Sequence, residues 1–295
     1  MTVRLLLLAC AFLLLARPAF AQSAAPNWAP ESGKLLETAG VTSLEGAGGG
    51  GLVPWAMITG YGTRDAVGAN AHYTRVQLPD FSLDTAGAAI GLYDRVELSY
   101  TRQWFDTGST GSKLGLTNGF TFDQDVYGAK VRVFGNTVYD QDSWLPQVAV
   151  GVQHKVNNQR ALLAAIGAKS AQGNDFYVAA TKLFLAQSLL LNATVRATRA
   201  NQFGILGFGG DRHAGYSPQA EVSAAYLLSR HWAVGAEYRT KPDNLRFARE
   251  DDAFDIFAVW FLSKHLSATL AYADLGHVAT QRVQHSVYLS LQAGF

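Results

Sequence analysis

Cysteine is almost missing from this chain. Cys10 is the only one, and it lies inside an N-terminal apolar run. If that run is removed, no thiol remains for a disulfide, for nucleophilic chemistry or for a thiolate metal site. Excess charge of either sign is missing too, with 24 Lys and Arg against 23 Asp and Glu. The formal charge is +1, and setting aside Arg4 and Arg17 makes it −1. A nucleic-acid partner is therefore not expected, since such binders carry a basic excess. Long apolar runs are absent beyond the N-terminus. The greasiest later stretch, KLFLAQSLLLN, breaks at Gln187 and Ser188, well short of the ~20 apolar residues of a membrane helix. Any membrane crossing would have to use strands. None of the histidines, at 72, 154, 213, 231, 265, 277 and 285, stands in H-E-x-x-H or another metal-ligand spacing. No metal and no cofactor is expected. No Pro/Ser-rich linker divides the chain.

The N-terminus has the layout of a cleaved secretory signal: Arg4, then LLLLACAFLLL, then Ala19-Phe20-Ala21 with small residues flanking the cut. This assigns 1–21 to a signal peptide, 22–33 to a periplasmic segment and 34–295 to the folded domain.

After the signal, the chain alternates with a period of two. In WAVGAEYRT, Trp232, Val234, Ala236 and Tyr238 interleave with Ala233, Gly235, Glu237 and Arg239. In LLNATVRAT, Leu191, Ala193, Val195 and Ala197 interleave with Asn192, Thr194, Arg196 and Thr198. Successive strand side chains point to opposite faces. A soluble sandwich would pair a core face of large residues with a strongly charged wet face. Here the polar face is Gly, Ala, Ser, Thr and Asn with a few charges, and the apolar face carries aromatics toward its ends. That is the pattern of a transmembrane barrel with lipid outside and a polar lumen inside.

Connections alternate in length, as in outer-membrane barrels. Tight turns fall at 93–95, 186–188, 228–231 and 262–265, and long loops at 106–119, 156–174, 201–217 and 240–252. Trp232, Trp260 and Tyr226 mark a girdle near the tight turns. Trp104, Tyr177 and Tyr272 mark one near the long loops. The expected strands are 34–45, 52–62, 69–78, 82–92, 95–105, 122–134, 144–155, 175–185, 188–200, 217–228, 231–240, 253–262, 266–275 and 285–295. The fold class is thus all-β: an antiparallel up-and-down barrel of about fourteen strands, or about twelve if the glycine-rich segment near residue 50 is a plug or inward hairpin. The sequence closes on SVYLSLQAGF, with Val287, Leu289, Leu291 and Phe295 on one face. This row, Leu289, Leu291 and Phe295 above all, is expected to be read by the outer-membrane assembly machinery.

Gly46-Ala47-Gly48-Gly49-Gly50-Gly51 matches G-x-G-x-x-G only formally. A dinucleotide site needs a helix next, and Leu52-Val53-Pro54-Trp55 does not start one. A hairpin or close-packed bend is the better reading. Asp211, His213 and Ser217 share a long loop, but no nucleophile elbow frames Ser217, so an enzyme is not expected. By strand parity the lumen receives Glu97, Lys130, Arg132, Lys182, Arg196, Glu221, Glu237 and Arg239, five basic and three acidic. These either pair across a filled lumen or line a pore that favours anions.

Four stretches, EGAGGGGLVPWAMITGYGTRD, GLYDRVELSYTRQWFDTG, DFYVAATKLFLAQSLLLNATVRATRANQFGILGFGGDR and AVGAEYRTKPDNLRFAREDD, resemble a proteobacterial family catalogued as domain of unknown function 3034. The resemblance spans nearly the whole chain after the signal. It implies a Gram-negative outer-membrane setting and no particular substrate. The expected function is a passive channel for small polar or ionic solutes; a non-conducting structural or docking barrel is the alternative, with a lipid-modifying enzyme third. Expected partners are outer-membrane lipids, the assembly machinery and small solutes, with a homo-oligomer left open.

Overall fold

The computed structural model describes residues 33, 34, 36 and 38–295. The expected signal at 1–21 lies outside the described residues, as does the segment 22–33 except for Gly33. Two short strands come first, β1 (Val41–Thr42) and β2 (Gly48–Gly49). Twelve long ones follow: β3 (Val67–Gln77), β4 (Ser82–Leu92), β5 (Val96–Asp106), β6 (Thr121–Phe134), β7 (Gln147–Asn157), β8 (Gln172–Phe184), β9 (Leu189–Thr198), β10 (Ser217–Ser229), β11 (Trp232–Arg239), β12 (Ala253–Ser263), β13 (Leu266–Asp274) and β14 (His285–Gly294). The long strands form one closed antiparallel barrel in chain order. Closure is made by β14 on β3, from Val287 opposite Gln77 to Gly294 opposite Asn70. Closure leaves no free strand edge, the condition for placing strands in lipid. Among the described residues no helix is long and apolar enough to cross a membrane.

The alternation read from the sequence sorts the two faces. Val195, Leu270, Ile256, Val287 and Leu291 stand exposed on the outside, whereas Thr194, Thr269, Asp255, Ser286 and Gln292 on the same strands are buried inside. An apolar exterior around a polar interior is the inverse of a soluble fold and suits a lipid surround. Trp232 and Trp260, directly paired across β11 and β12, stack with ring centres 5.6 Å apart on the outside near the tight turns. Leu289, Leu291 and Phe295 also lie exposed on this outer surface.

The barrel has twelve strands. Every expected strand from 69–78 onward is present, with ends within a few residues. The two before it, 34–45 and 52–62, are not part of the wall. Between them Gly46 takes a left-handed φ of +87°, which bends the chain back on itself. Pro54 lacks the N–H that an inner ladder needs. Residues 41–61 instead lie buried inside the barrel, where β1 pairs only with β2.

Tyr177 also departs from expectation. It faces the lumen rather than an aromatic girdle, and is buried. Its cross-strand partner is Gly151, where a Cβ would lie 2.2 Å from the Tyr177 ring. The missing side chain makes room for the ring inside.

One end of the barrel carries the start of β3, the end of β14, the tight turns 93–95, 185–188, 230–231 and 264–265, and one longer turn, 135–146. The other carries the turn 78–81 and the long loops 107–120, 158–171, 199–216, 240–252 and 275–284.

Candidate functional site: the charged lumen and its plug

Seven of the eight charged residues expected in the lumen face it and are buried: Glu97, Lys130, Arg132, Arg196, Glu221, Glu237 and Arg239. Lys182 is the exception. It shares its strand face with Phe176 and Val178, which are exposed outside, and pairs with the exposed Leu191. Its long stem carries the ammonium to the carbonyls of Asp140, at 2.5 Å, and Ser143, at 2.7 Å, in the turn 135–146. This is snorkelling toward a polar end, not a lumen position. The wall adds Lys155, Asp175 and Asp255, all buried and inward. Lys155 and Asp175 stood at the last and first residues of their expected strands, where parity is weakest. Asp255 was legible, since Phe254 and Ile256 beside it are apolar. Among the described strands the inward charges are therefore five basic and five acidic, and the expected basic excess disappears.

These charges meet a carboxylate that does not belong to the wall. Glu45, from the buried segment, sits among Lys155 of β7, Arg196 of β9 and Arg239 of β11. Arg239 Nη1 reaches Glu45 Oε2 at 2.7 Å, Arg196 Nη2 at 3.6 Å, and Lys155 Nζ bonds Oε1 directly. Wall acids flank the three cations. Lys155 lies 2.6 Å from Asp175, Arg239 lies 3.2 Å from Glu221, and Arg196 pairs with the same Glu221. The backbone turns at Gly46 (φ +87°), a left-handed conformation that glycine tolerates. A Cβ there would also strike the Thr101 hydroxyl at 2.2 Å.

The rest of the segment is held by wall side chains that bond its backbone. Glu97 accepts the amides of Gly48 at 2.9 Å and Thr59 at 2.8 Å, and pairs with Lys130 at 3.0 Å. Lys130 donates to the carbonyls of Gly48 and Trp55. Glu237 accepts the Leu52 amide at 2.6 Å, Thr181 the Ala56 amide at 2.8 Å, and Gln292 the Thr42 amide at 2.9 Å. A Cβ on Gly50 would fall 1.9 Å from the Glu237 carboxylate. The glycine run is thus the bend that brings a backbone against wall acids, in line with the close-packed reading. Near the tight turns Asp94 receives Lys34 at 2.9 Å and Arg132 at 2.8 Å. A cavity of about 330 Å³ remains beside this pair, lined in part by Met57, Ile58, Arg64 and Tyr139.

From the long-loop end, residues 201–208 close over the same cluster. The Phe203 ring lies 4.5 Å below the Arg239 guanidinium and 5.4 Å from Lys241, and its carbonyl accepts Lys155 at 3.1 Å. Asn201 ties the loop to itself through Leu206 and Gly209. Beside it, burial pushes the Glu250 carboxyl up to about 7. Lys241 at 3.3 Å and the Gln202 amide at 2.6 Å only partly counter this.

Asp211, His213 and Ser217 do not come together as a triad. Asp211 accepts the Arg246 amide at 2.9 Å, and that bond keeps its carboxyl below the usual range. The Ser217 hydroxyl instead accepts Gln219.

The fold has solved counterparts. The chain is similar to the KdgM porin, with 10% identity and a TM-score of 0.50 over 77% of this chain and 99% of that one. It is similar to the KdgM porin in complex with disordered oligogalacturonate, with 10% identity and a TM-score of 0.51 over the same shares. The NanC porin follows at 8% identity and a TM-score of 0.47, over 76% of this chain and 98% of that one. No curated protein matches the sequence. The family model described as "Protein of unknown function (DUF3034)" matches residues 38–292, and the chain belongs to that family.

Proposed function

We propose that this protein is an outer-membrane channel for small polar or ionic solutes, closed in the present state by residues 38–61. One observation carries the reading. The inner wall of a lipid-suited barrel is lined with polar and charged groups, and these groups are bonded to a segment that takes no part in the wall. A wall built only to be filled can use apolar packing, which costs less to bury than charge. The porin fold of the KdgM counterparts supports the same reading. The long-loop end then faces the exterior and the tight turns the periplasm. Glu97, Lys130, Arg132, Arg196, Glu221, Glu237 and Arg239 line the path when the segment withdraws. The Leu289, Leu291 and Phe295 row serves recognition by the assembly machinery, and Leu291→Asp should lower the yield of folded barrel in outer membranes.

The non-conducting reading has an observation of its own: segment and loop together fill the lumen. Planar-bilayer recording separates the two. The channel reading expects rare or small openings from the full-length protein and large, sustained ones when the segment is unlatched by Gly50→Ala. A folded Gly50→Ala protein as silent as the original would favour a structural or docking barrel.

A further inference from the structure

The carboxylate of Glu45 occupies its surroundings much as a bound anion would. Three cations from three separate strands converge on it, and it is the one member of the cluster that the wall does not supply. The wall's own acids at this level, Asp175 and Glu221, touch all three cations but set two negative charges against three positive ones. Inside a low-dielectric barrel, an uncompensated buried positive charge is strongly unfavourable. Withdrawal of Glu45 therefore creates a demand for an anion at this point. The geometry suits a carboxylate, because Arg239 and Arg196 approach the same Oε2 while Lys155 takes Oε1. Guanidinium groups favour such planar oxygen pairs. The Phe203 ring lies against Arg239 on the long-loop side, and the turn at Gly46 follows Glu45 directly.

We propose that Lys155, Arg196 and Arg239 form a carboxylate-binding site in the lumen. The protein's own Glu45 holds it in the closed state, and a small carboxylate solute takes it when residues 38–61 are displaced. The proposal deepens the channel reading and rests on it for solute access. It names carboxylate anions as the favoured class, through a local site and not through a lumen-wide charge excess.

The test uses the full chain folded in detergent, with acetate and citrate as probes and glucose as neutral control. Calorimetric titration of Glu45→Ala should show saturable acetate and citrate binding at least about tenfold tighter than the original protein, whose site is filled. Glucose should bind neither. Adding Arg239→Gln to Glu45→Ala should weaken citrate binding about tenfold or more. If Glu45→Ala folds poorly, acetate in the refolding buffer should restore the heat-modifiable band. Failure of that rescue counts against the site. So does a folded Glu45→Ala protein that titrates like the original, or a double variant that binds citrate as well as Glu45→Ala. Bilayer recording of the same variant keeps the two claims apart. Carboxylate binding without current removes the channel and keeps the site. Current without carboxylate binding does the reverse.

Discussion

Two pieces of chain fill the lumen, one from each end, and they are held in different ways. Residues 38–61 enter from the end with the tight turns and are bonded almost throughout to side chains of the wall, many of them charged: Glu97, Lys130, Glu237 and Arg239. Residues 201–208 enter from the other end and bond mainly to themselves and to neighbouring loops. Phe208 exchanges backbone bonds with Ser170, Asn244 donates to Asn201 at 3.0 Å, and Ile205, Leu206 and Phe208 are buried. The loop is anchored on both sides by wall strands β9 and β10. Among the described residues the segment joins the wall along the chain only on its C-terminal side, at β3. Side-chain bonds to a backbone can be exchanged for water or solute one at a time, whereas a loop folded on itself opens as a unit. On the proposed channel reading, the contrast makes the segment the part expected to move and the loop the lid that shapes the entrance.

Deleting residues 38–61 should give the largest effect. All twelve strands and the β14–β3 closure remain, so heat-modifiable barrel should still form. Its single-channel conductance should exceed that of the original protein by about tenfold or more, since a charged lumen would then be open to water and ions. Replacing 201–208 by a short glycine linker should leave conductance low, because Glu45 and its cations still close the path. If the loop deletion opens the barrel and the segment deletion does not, the roles assigned to the two pieces are reversed.

Single substitutions sharpen the comparison. Glu97→Ala removes two amide contacts to the segment and strips Lys130 of its acid, so it should destabilise the seated segment by about 3–5 kcal/mol, the usual cost of breaking a buried ion pair. Asn244→Ala on the loop side loses neutral hydrogen bonds and should cost about 1–3 kcal/mol. Hydrogen exchange of the amides of 41–61 and of 201–208, measured in both variants, reads the two costs separately. Equal loosening of both pieces by Glu97→Ala would show that they open together.

The wall was legible because a barrel repeats one rule at every second residue, and the rule held from Val67 to Gly294. The same rule misled at 34–45 and 52–62, where apolar residues alternate by chance within a buried coil. There Leu44, Leu52, Val53 and Trp55 pack inward. The glycine run and Pro54 were the signals against strands, and they allowed the twelve-strand alternative. The alternation itself held at Lys182 and Tyr177, and the assignment by residue type failed there: a charge was placed inside and an aromatic ring outside. Lys182 lies near a strand end beside a turn whose carbonyls attract its ammonium, and Tyr177 depends on a glycine on the neighbouring strand. The centre of the site was not legible at all. Nothing in EGAGGGG says that its glutamate will meet Lys155, Arg196 and Arg239, since that meeting depends on how the segment threads the closed barrel.

The smallest expected effect concerns the loop 240–252, which braces the lid through the Gln202 amide on Glu250, and gives that brace a pH dependence. Glu250 is buried in the loop 240–252, and burial pushes its carboxyl from 4.5 up to about 7, with Lys241 only partly offsetting this. Below about pH 4.5 the acid is protonated whether the loop is packed or open, and it contributes no penalty. As pH rises from 4.5 toward 7 the open form ionises while the packed form keeps its proton, so the packed form is progressively disfavoured. Above about 7 both forms are ionised and the penalty stays constant, at most about 3 kcal/mol by the size of the shift. The loop 240–252 should therefore loosen between mildly acidic and neutral pH. Trypsin provides the readout, because the side chains of Arg246 and Arg249 in the same loop are 78% and 69% exposed. Cleavage after either residue, divided at each pH by the rate for Glu250→Gln, should rise from pH 5 to pH 7.5 and then level off. The glutamine keeps an acceptor for the Gln202 amide but cannot ionise, so it removes the titration and corrects for the protease's own pH profile. A ratio that stays flat across this range would mean that Glu250 does not control this loop. A ratio that falls would mean that ionised Glu250 is held in place by Lys241 and tightens the loop.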